Sequence, residues 1–600
     1  MSKYKIYPPL GIARVGNAPV DFYIGPESYR GLPIKPNGGD FTDRDFRDAE
    51  GRLCRQAARF HIYDEKGHEV TLKTAEVKDI QWTVHMANKK ASWYEFKTNE
   101  GEHGYASNHP LRNPEIEDRH SLIIDPGPRQ IGGADAGPVH MDKNSIPDGY
   151  QGGHFPSDLL YPSKEHISTL GELRTDEEGR LLVLGGLGVS GSTDDPPVIT
   201  HYANNDHWWD DIGDGPVRAV ITWNDGRTDE VEVAWVSVAP PAYAPELPNL
   251  VTLWDTMFDA AVRNNHFQNI YHQEMWKSGK NGYKPSFESE IRPLLERAAL
   301  YTWVAAIPPK PHSFNMEMLG AVPEEKSMDA HIGLRKWILD VLRPPSSENV
   351  IVSERGTTMM PYLAGDNCLI GDTLTSKYLR LTDTQYFFLQ QWADGHFVNE
   401  SPSVSEPDAI TRAVLDNCVG GAFSPGIEVT WISRNPAIYQ KHDPFRINAA
   451  APKNGPLHLG FNPKAMEPGD LTRYMALPWQ ADFNECSSQP IDGRRLWWWP
   501  SQRPEFVYVD PNKDQQLESA SHTPPIPDDE TGIQVPWIGT GFDQNRSDFI
   551  AFANDLHMVE HWYELGFVME KGNEGEDLYV EVARTLPRPF YPSPPDNDGC

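Results

Sequence analysis

Six hundred residues with 38% hydrophobic and 11% aromatic content can bury substantial cores, and a charged fraction of 23% is ordinary, which excludes disordered and fibrous classes. A net charge of −32 repels nucleic-acid backbones and anionic membranes, and no run of about 18 apolar residues exists to span a bilayer. Five cysteines without a CxxC pair (Cys54, Cys368, Cys418, Cys486, Cys600) do not make a disulfide framework.

The opening MSKYKIYPPLGIARVG lacks the apolar stretch of a Sec signal peptide, so cytoplasmic synthesis is expected, with non-classical export left open. To about residue 275 the pattern reads mainly as strands. Ile6–Gly16 is extended with a Pro-Pro break; Phe60–Tyr63 and His68–Leu72 flank a turn at Glu65–Gly67; Lys78–His85 alternates. Arg180–Val189 is a further apolar run, and Val217–Trp223 with Glu230–Ala239 reads as a hairpin around Asp225-Gly226. The middle is more helical: 249–262, a segment capped by Ser286, 330–342, 382–392 and 408–417. From about 430 the chain turns irregular and aromatic. It then closes on a predicted helix over 547–566, where Phe549, Phe552, Leu556, Val559 and Tyr563 form one apolar stripe. The expected fold is α+β, with an antiparallel β-rich region 1–275, a mainly helical region 276–430 and an aromatic-rich region 431–600.

Three patterns invite chemistry and each has a plainer reading. His557-Met-Val-Glu560-His561 spells HxxEH, which a zinc hydrolase would complete with an acid further on, such as Glu570, Glu574 or Glu576. An exposed polar helix face explains it more simply. Gly186-Leu-Gly188-Val-Ser-Gly191 spells GxGxxG, but Asp194, Asp195, Pro196 and Pro197 follow where a nucleotide site needs a helix, which favours a glycine-rich turn. The cluster from Thr200 to Asp211, with Tyr202, His207, Trp208 and Trp209, is either a self-bonded loop or the wall of a polar pocket.

The richest stretch is 477–504, LPWQADFNECSSQPIDGRRLWWWPSQRP. It holds Cys486 and four of eighteen tryptophans. Asp482 stands four residues before Cys486, so one helical turn puts both on one face. A carboxylate raises a thiol's pKa, which suits a proton acceptor during a modification better than a resting nucleophile. A buried structural cysteine is the alternative, and a non-catalytic, aromatic-rich binding protein is the alternative for the whole chain.

The segments PWQADFNEC and WWWPSQRP, with IYPPLGIARVGN, THYANNDHWWDDIGDGPV, LDNCVGGAFSPGIE and HWYELGFV, resemble the cysteine tryptophylquinone amino-acid oxidases, which include L-lysine ε-oxidase and glycine oxidases. The resemblance spans almost the whole chain. It implies a thioether from Cys486 to Trp562, 76 positions on, with Trp562 becoming the quinone. Trp497, Trp498 and Trp499 are sequence neighbours of Cys486 that compete for that role; packing around the site is their expected part. The resemblance also implies that Asp482 serves cofactor maturation and that Cys418 lies near the site; a turnover base within reach of the substrate carbon is expected to be Asp482 first and His522 second, with Tyr202, His522 and His561 as further possible site walls. No metal is expected. A primary amine of an amino acid (a lysine side chain, or the α-amino group of glycine or another) would form a Schiff base. Aldehyde or oxo acid, ammonia and hydrogen peroxide would leave, with oxygen as acceptor. A separate flavoprotein for maturation and a homo-oligomer are implied as well.

Overall fold

The computed structural model describes residues 2–96, 108–156, 161–162, 166–305, 314–323, 329–347, 350–365, 378–420, 426–429, 431–486, 489–491, 494–509, 533–538, 541–543, 548–550, 552, 554–572 and 577–586. The fold is α+β.

Among the described residues, fifteen strands lie before residue 240: β1 Tyr4–Tyr7, β2 Leu10–Arg14, β3 Phe22–Ile24, β4 Arg55–Asp64, β5 Val77–Val84, β6 Arg129–Gly132, β7 Val139–Asp142, β8 Tyr161–Pro162, β9 Thr169–Thr175, β10 Leu181–Leu184, β11 Ser190–Ser192, β12 Trp208–Asp210, β13 Asp214–Trp223, β14 Thr228–Glu230 and β15 Ala234–Ala239. Twelve of them form one sheet with the order β6-β5-β13-β15-β2-β4-β10-β9-β7, with β1 and β3 also on β4 and β14 on β13. Pairing is antiparallel except for β15 with β2 and β3 with β4. The end strand β6 approaches β7 and β9 at the other end, so the sheet nearly closes. β5 shows why: Ile80, Trp82 and Val84 alternate into the core and their neighbours face out. The predicted hairpin forms around Gly226, at positive φ, but its second arm is broken: β14 pairs with β13 next to the turn, and β15 pairs further along β13. The expected strand at 68–72 reduces to one bridge between Tyr63 and Glu69.

Eight α-helices follow among the described residues: α1 Leu253–Arg263, α2 Arg292–Leu300, α3 Met316–Leu319, α4 Ile332–Val341, α5 Asp383–Ala393, α6 Glu406–Asp416, α7 Trp479–Glu485 and α8 Asp555–His561. Thr252 and Thr382 close capping boxes on α1 and α5, and Ser286 caps a π-helical turn leading into α2. The predicted helix 547–566 is corrected. Asp548–Ile550 pairs with Gly541–Asp543 as a strand, and α8 begins only at Asp555, where Asn554 accepts from His557 N–H. Trp562–Glu564 then tightens into a 3₁₀ turn. No helix among the described residues is long and apolar enough to cross a membrane.

Candidate active site

Helix α7 has no side-chain cap of its own, since Pro478 precedes it. Asp210, at the end of β12, supplies one: its Oδ2 accepts the Trp479 N–H at 3.1 Å. Lys90 pairs with the same carboxylate and donates to Ala476 O at 2.9 Å. Both charges are fully buried, so the pair must be mutual. The helix ends at Cys486, whose backbone N–H donates to Asp482 O at 2.8 Å and whose thiol donates to Asp482 Oδ1 at 3.1 Å. The i,i+4 contact expected from the sequence forms. Asp482 Oδ2 is buried without a hydrogen-bond partner among the described residues. Burial pushes the Asp482 carboxyl up to about 7 and, together with Asp482, pushes the Cys486 thiol far above its ordinary value. Arg503 lies under the helix end, donating to Phe483 O at 2.7 Å and Asn484 O at 3.0 Å. Burial lowers its pKa to about 10.

Trp562 is reached from the other side of the fold. α8 packs against α7, and Asn484 Nδ2 donates to Asp555 Oδ1 at 2.8 Å, joining the two helices. The Trp562 carbonyl accepts from Tyr243 Oη, and Arg47 donates to Tyr563 O and Leu565 O at 2.8 and 3.0 Å. The indole is 2% exposed and Trp479 meets it edge-on, with centroids 5.4 Å apart. Gly188 lies against its six-membered ring: a Cβ there would stand 2.0 Å from Cζ2 and 2.5 Å from Cη2. The GxGxxG stretch is thus a turn beneath an indole, with no helix after it, at a positive φ that suits glycine. Cys486 and Trp562 share one buried cluster.

The other expected residues are dispersed. Tyr202 stacks on His201 and packs with Ala203 and Ala476, beside the chain entering α7. Cys418 lies in a separate core cluster, where Arg14 donates to its sulfur at 3.6 Å. His561 is half-exposed, 3.2 Å from Glu564, and its ring is 6.2 Å from that of His557. Among the described residues no group of three His, Cys, Asp or Glu could hold a metal; Glu574 and Glu576 lie outside them, as does His522. Trp497 and Trp499 are buried and Trp498 half-buried. Sequence reasoning missed Gly188, Asp210, Asp211, Gln480, Tyr243 and Arg503. The cluster around Asp210 and Asp211 was visible, but as a pocket wall rather than as the support of α7 and the glycine turn.

The chain matches the family models "L-Lysine epsilon oxidase N-terminal" over residues 7–238 and "L-lysine epsilon oxidase C-terminal domain" over residues 361–506. It is 31% identical to the L-lysine 6-oxidase of Marinomonas mediterranea, an alignment covering 96% of this chain and 89% of that protein. The crystal structure of that organism's L-Lys ε-oxidase superposes with a TM-score of 0.84 at 30% identity, over 97% of this chain and 95% of the other. The structure of its Schiff base intermediate with L-Lys gives the same TM-score at 29% identity and the same coverage. Fold and sequence together make this an amino-acid oxidase, an oxidoreductase acting on CH–NH₂ donors with oxygen as acceptor. The chain belongs to the L-lysine ε-oxidase family.

Proposed function

We propose that this oxidase deaminates a primary amine of an amino acid with a cysteine tryptophylquinone made from Cys486 and Trp562. The observation that carries the reading is the Cys486–Asp482 contact, at the end of a helix packed against the one leading into Trp562. The residues fit the group. Gly188 leaves room for a ring that any side chain would displace, and Asp482 offers a buried, unpartnered oxygen beside the sulfur. Mature, the cofactor supplies an electrophilic ring carbonyl for Schiff-base condensation with an amine, and an electron sink that oxygen re-oxidises to release hydrogen peroxide.

The chain's own residues do the rest. Asp482 is the proton acceptor: buried, with a pKa raised to about 7, it is poised to take a proton near neutral pH. Asp482 serves first in maturation, where the thiol proton must leave, and then in turnover. Trp479 and Gly188 fix the ring plane, while Tyr243 and Arg47 fix its backbone. A separate flavoprotein for maturation, a homo-oligomeric state and the division 1–275, 276–430 and 431–600 belong to the same proposal. The relative's complex with L-Lys makes lysine the first substrate to assay and glycine the second.

The test is intact mass and visible absorbance on protein produced with its flavoprotein. A thioether with added ring oxygens, a visible band and amino-acid-dependent peroxide are expected. An unmodified mass in that preparation rejects the cofactor.

A further inference from the structure

Resting on that cofactor reading, we propose that Asp211 is a positioning residue for the Cys486–Trp562 thioether: it fixes the Gly186–Val189 turn as the floor on which the Trp562 ring lies during crosslinking.

The carboxyl of Asp211 is 1% exposed. Its Oδ2 accepts the Val189 N–H at 3.1 Å, and its Oδ1 is buried with no hydrogen-bond partner among the described residues. The Asp211 backbone N–H donates in return to Val189 O at 3.1 Å. The turn is wrapped around the carboxyl so closely that a Cβ on Gly186 would stand 2.4 Å from Oδ2. Asp211 therefore holds the end of the turn by both the N–H and the C=O of Val189, and its side chain fills the space a Cβ on Gly186 would need.

That turn touches both halves of the crosslink. Gly188 meets the Trp562 ring, and Gly188 O accepts from Gln480 Nε2 of α7 at 3.2 Å. Gln480 Oε1 accepts from Ser190 Oγ at 2.7 Å, just beyond the turn. Gln480 lies six residues before Cys486 on the helix that Asp210 holds at its start. Consecutive aspartates thus support the two partners separately, Asp210 the sulfur's helix and Asp211 the ring's floor.

Positioning matters because the crosslink is a reaction between two fixed side chains. It forms one S–C bond, removes the thiol hydrogen and one ring hydrogen, and passes the electron pair to the flavin of the maturation protein. Such steps need reacting atoms about 3–3.5 Å apart, and an error of about 1 Å costs about 100-fold. A methyl on Gly188 must move the ring or the turn by more than that to reach ordinary contact.

The experiment quantifies the thioether peptide after digestion of protein co-produced with the flavoprotein. Stability is measured in parallel on uncrosslinked protein made without it. Gly188→Ala and Asp211→Ala should each lower the crosslinked fraction at least tenfold. Asp211→Asn, which keeps the side-chain volume and an acceptor for the Val189 amide, should restore most of it. Gly333→Ala, on a helix where a Cβ meets nothing within 4 Å, should match wild type. If Gly188→Ala does not fold, the Ala/Asn pair at Asp211 decides. Wild-type crosslinking in Asp211→Ala, or a loss in Asp211→Asn equal to that in Asp211→Ala, overturns the positioning role alone. Wild-type protein without any thioether overturns the cofactor reading and this proposal together.

Discussion

Asp482 and Cys486 compete for one proton in a space with little access to water. The thiol donates, the carboxylate accepts, and burial makes the charge costly for either. Because the folded carboxyl titrates near 7 instead of about 4, the native state binds this proton more tightly than the unfolded chain does. Its contribution to stability is complete below the unfolded value, falls as pH rises from about 4 toward about 7, and then levels off. Asp482→Asn removes that slope. Across this window the uncrosslinked wild type should lose stability relative to the variant, on the order of a few kcal/mol, in denaturant titrations at each pH. Parallel pH profiles for the two proteins would contradict the buried acid. This pair was legible in the sequence because four residues on a helix make neighbours. Gly188 was not, because it meets an indole hundreds of positions away, and Asp211 was not, because it reaches that indole only through the glycine turn. A glycine needed by an indole looks the same in sequence as one needed by a phosphate.

Helix α7 is short, and its stability comes from what holds its ends. At the C-terminal end Arg503 satisfies two carbonyls that the helix leaves unpaired. Arg503→Ala strands both in a buried setting, at about 1–3 kcal/mol each. We expect urea unfolding of uncrosslinked protein to show a loss of about 2–6 kcal/mol, with Arg503→Lys intermediate because one ammonium replaces a two-armed donor. A loss in the alanine variant within the error of the titration would show that the last turn is held by packing alone. The periodic, well-capped helices α1, α5 and α6 fell within a few residues of their expected bounds, since local pattern and local caps agree there, and α4 did so on its pattern alone. The last helix did not. Its apolar stripe ran back through Phe552 and Phe549, but strand pairing took Asp548–Ile550 and Asn554 set a later start. Tertiary pairing overrode the 3.6-residue pattern.

At the scale of the molecule, buried polar ties sew the late chain into the early sheet. Asp214 on β13 accepts from Leu471 N, Thr472 N, Thr472 Oγ1 and Trp235 Nε1. Arg14 on β2 pairs with Glu428, and Arg446 donates to Ile6 O and Val233 O. Cutting the chain after residue 430 would leave Asp214 with one of those four donors and strip Trp431 and Tyr474 from the apolar cluster around Trp235. The full chain should therefore melt in one calorimetric transition. The 1–430 fragment should lack a cooperative transition and bind a hydrophobic dye. An independent, sharp melt for the fragment would show that the sheet carries its own core. The β-rich first half was legible because alternation is local. The stitching was not, because a carboxylate's distant donors leave no mark near it in the sequence.

The 2% exposure of Trp562 also bears on kinetics. An amino acid in solution cannot meet a ring enclosed by a glycine turn, an indole edge and two packed helices. Each turnover must include an opening, so the apparent affinity for substrate is the intrinsic affinity scaled by the fraction of molecules open. Added solvent viscosity should then slow a turnover limited by that opening, by up to the factor by which it slows free diffusion of the amino acid.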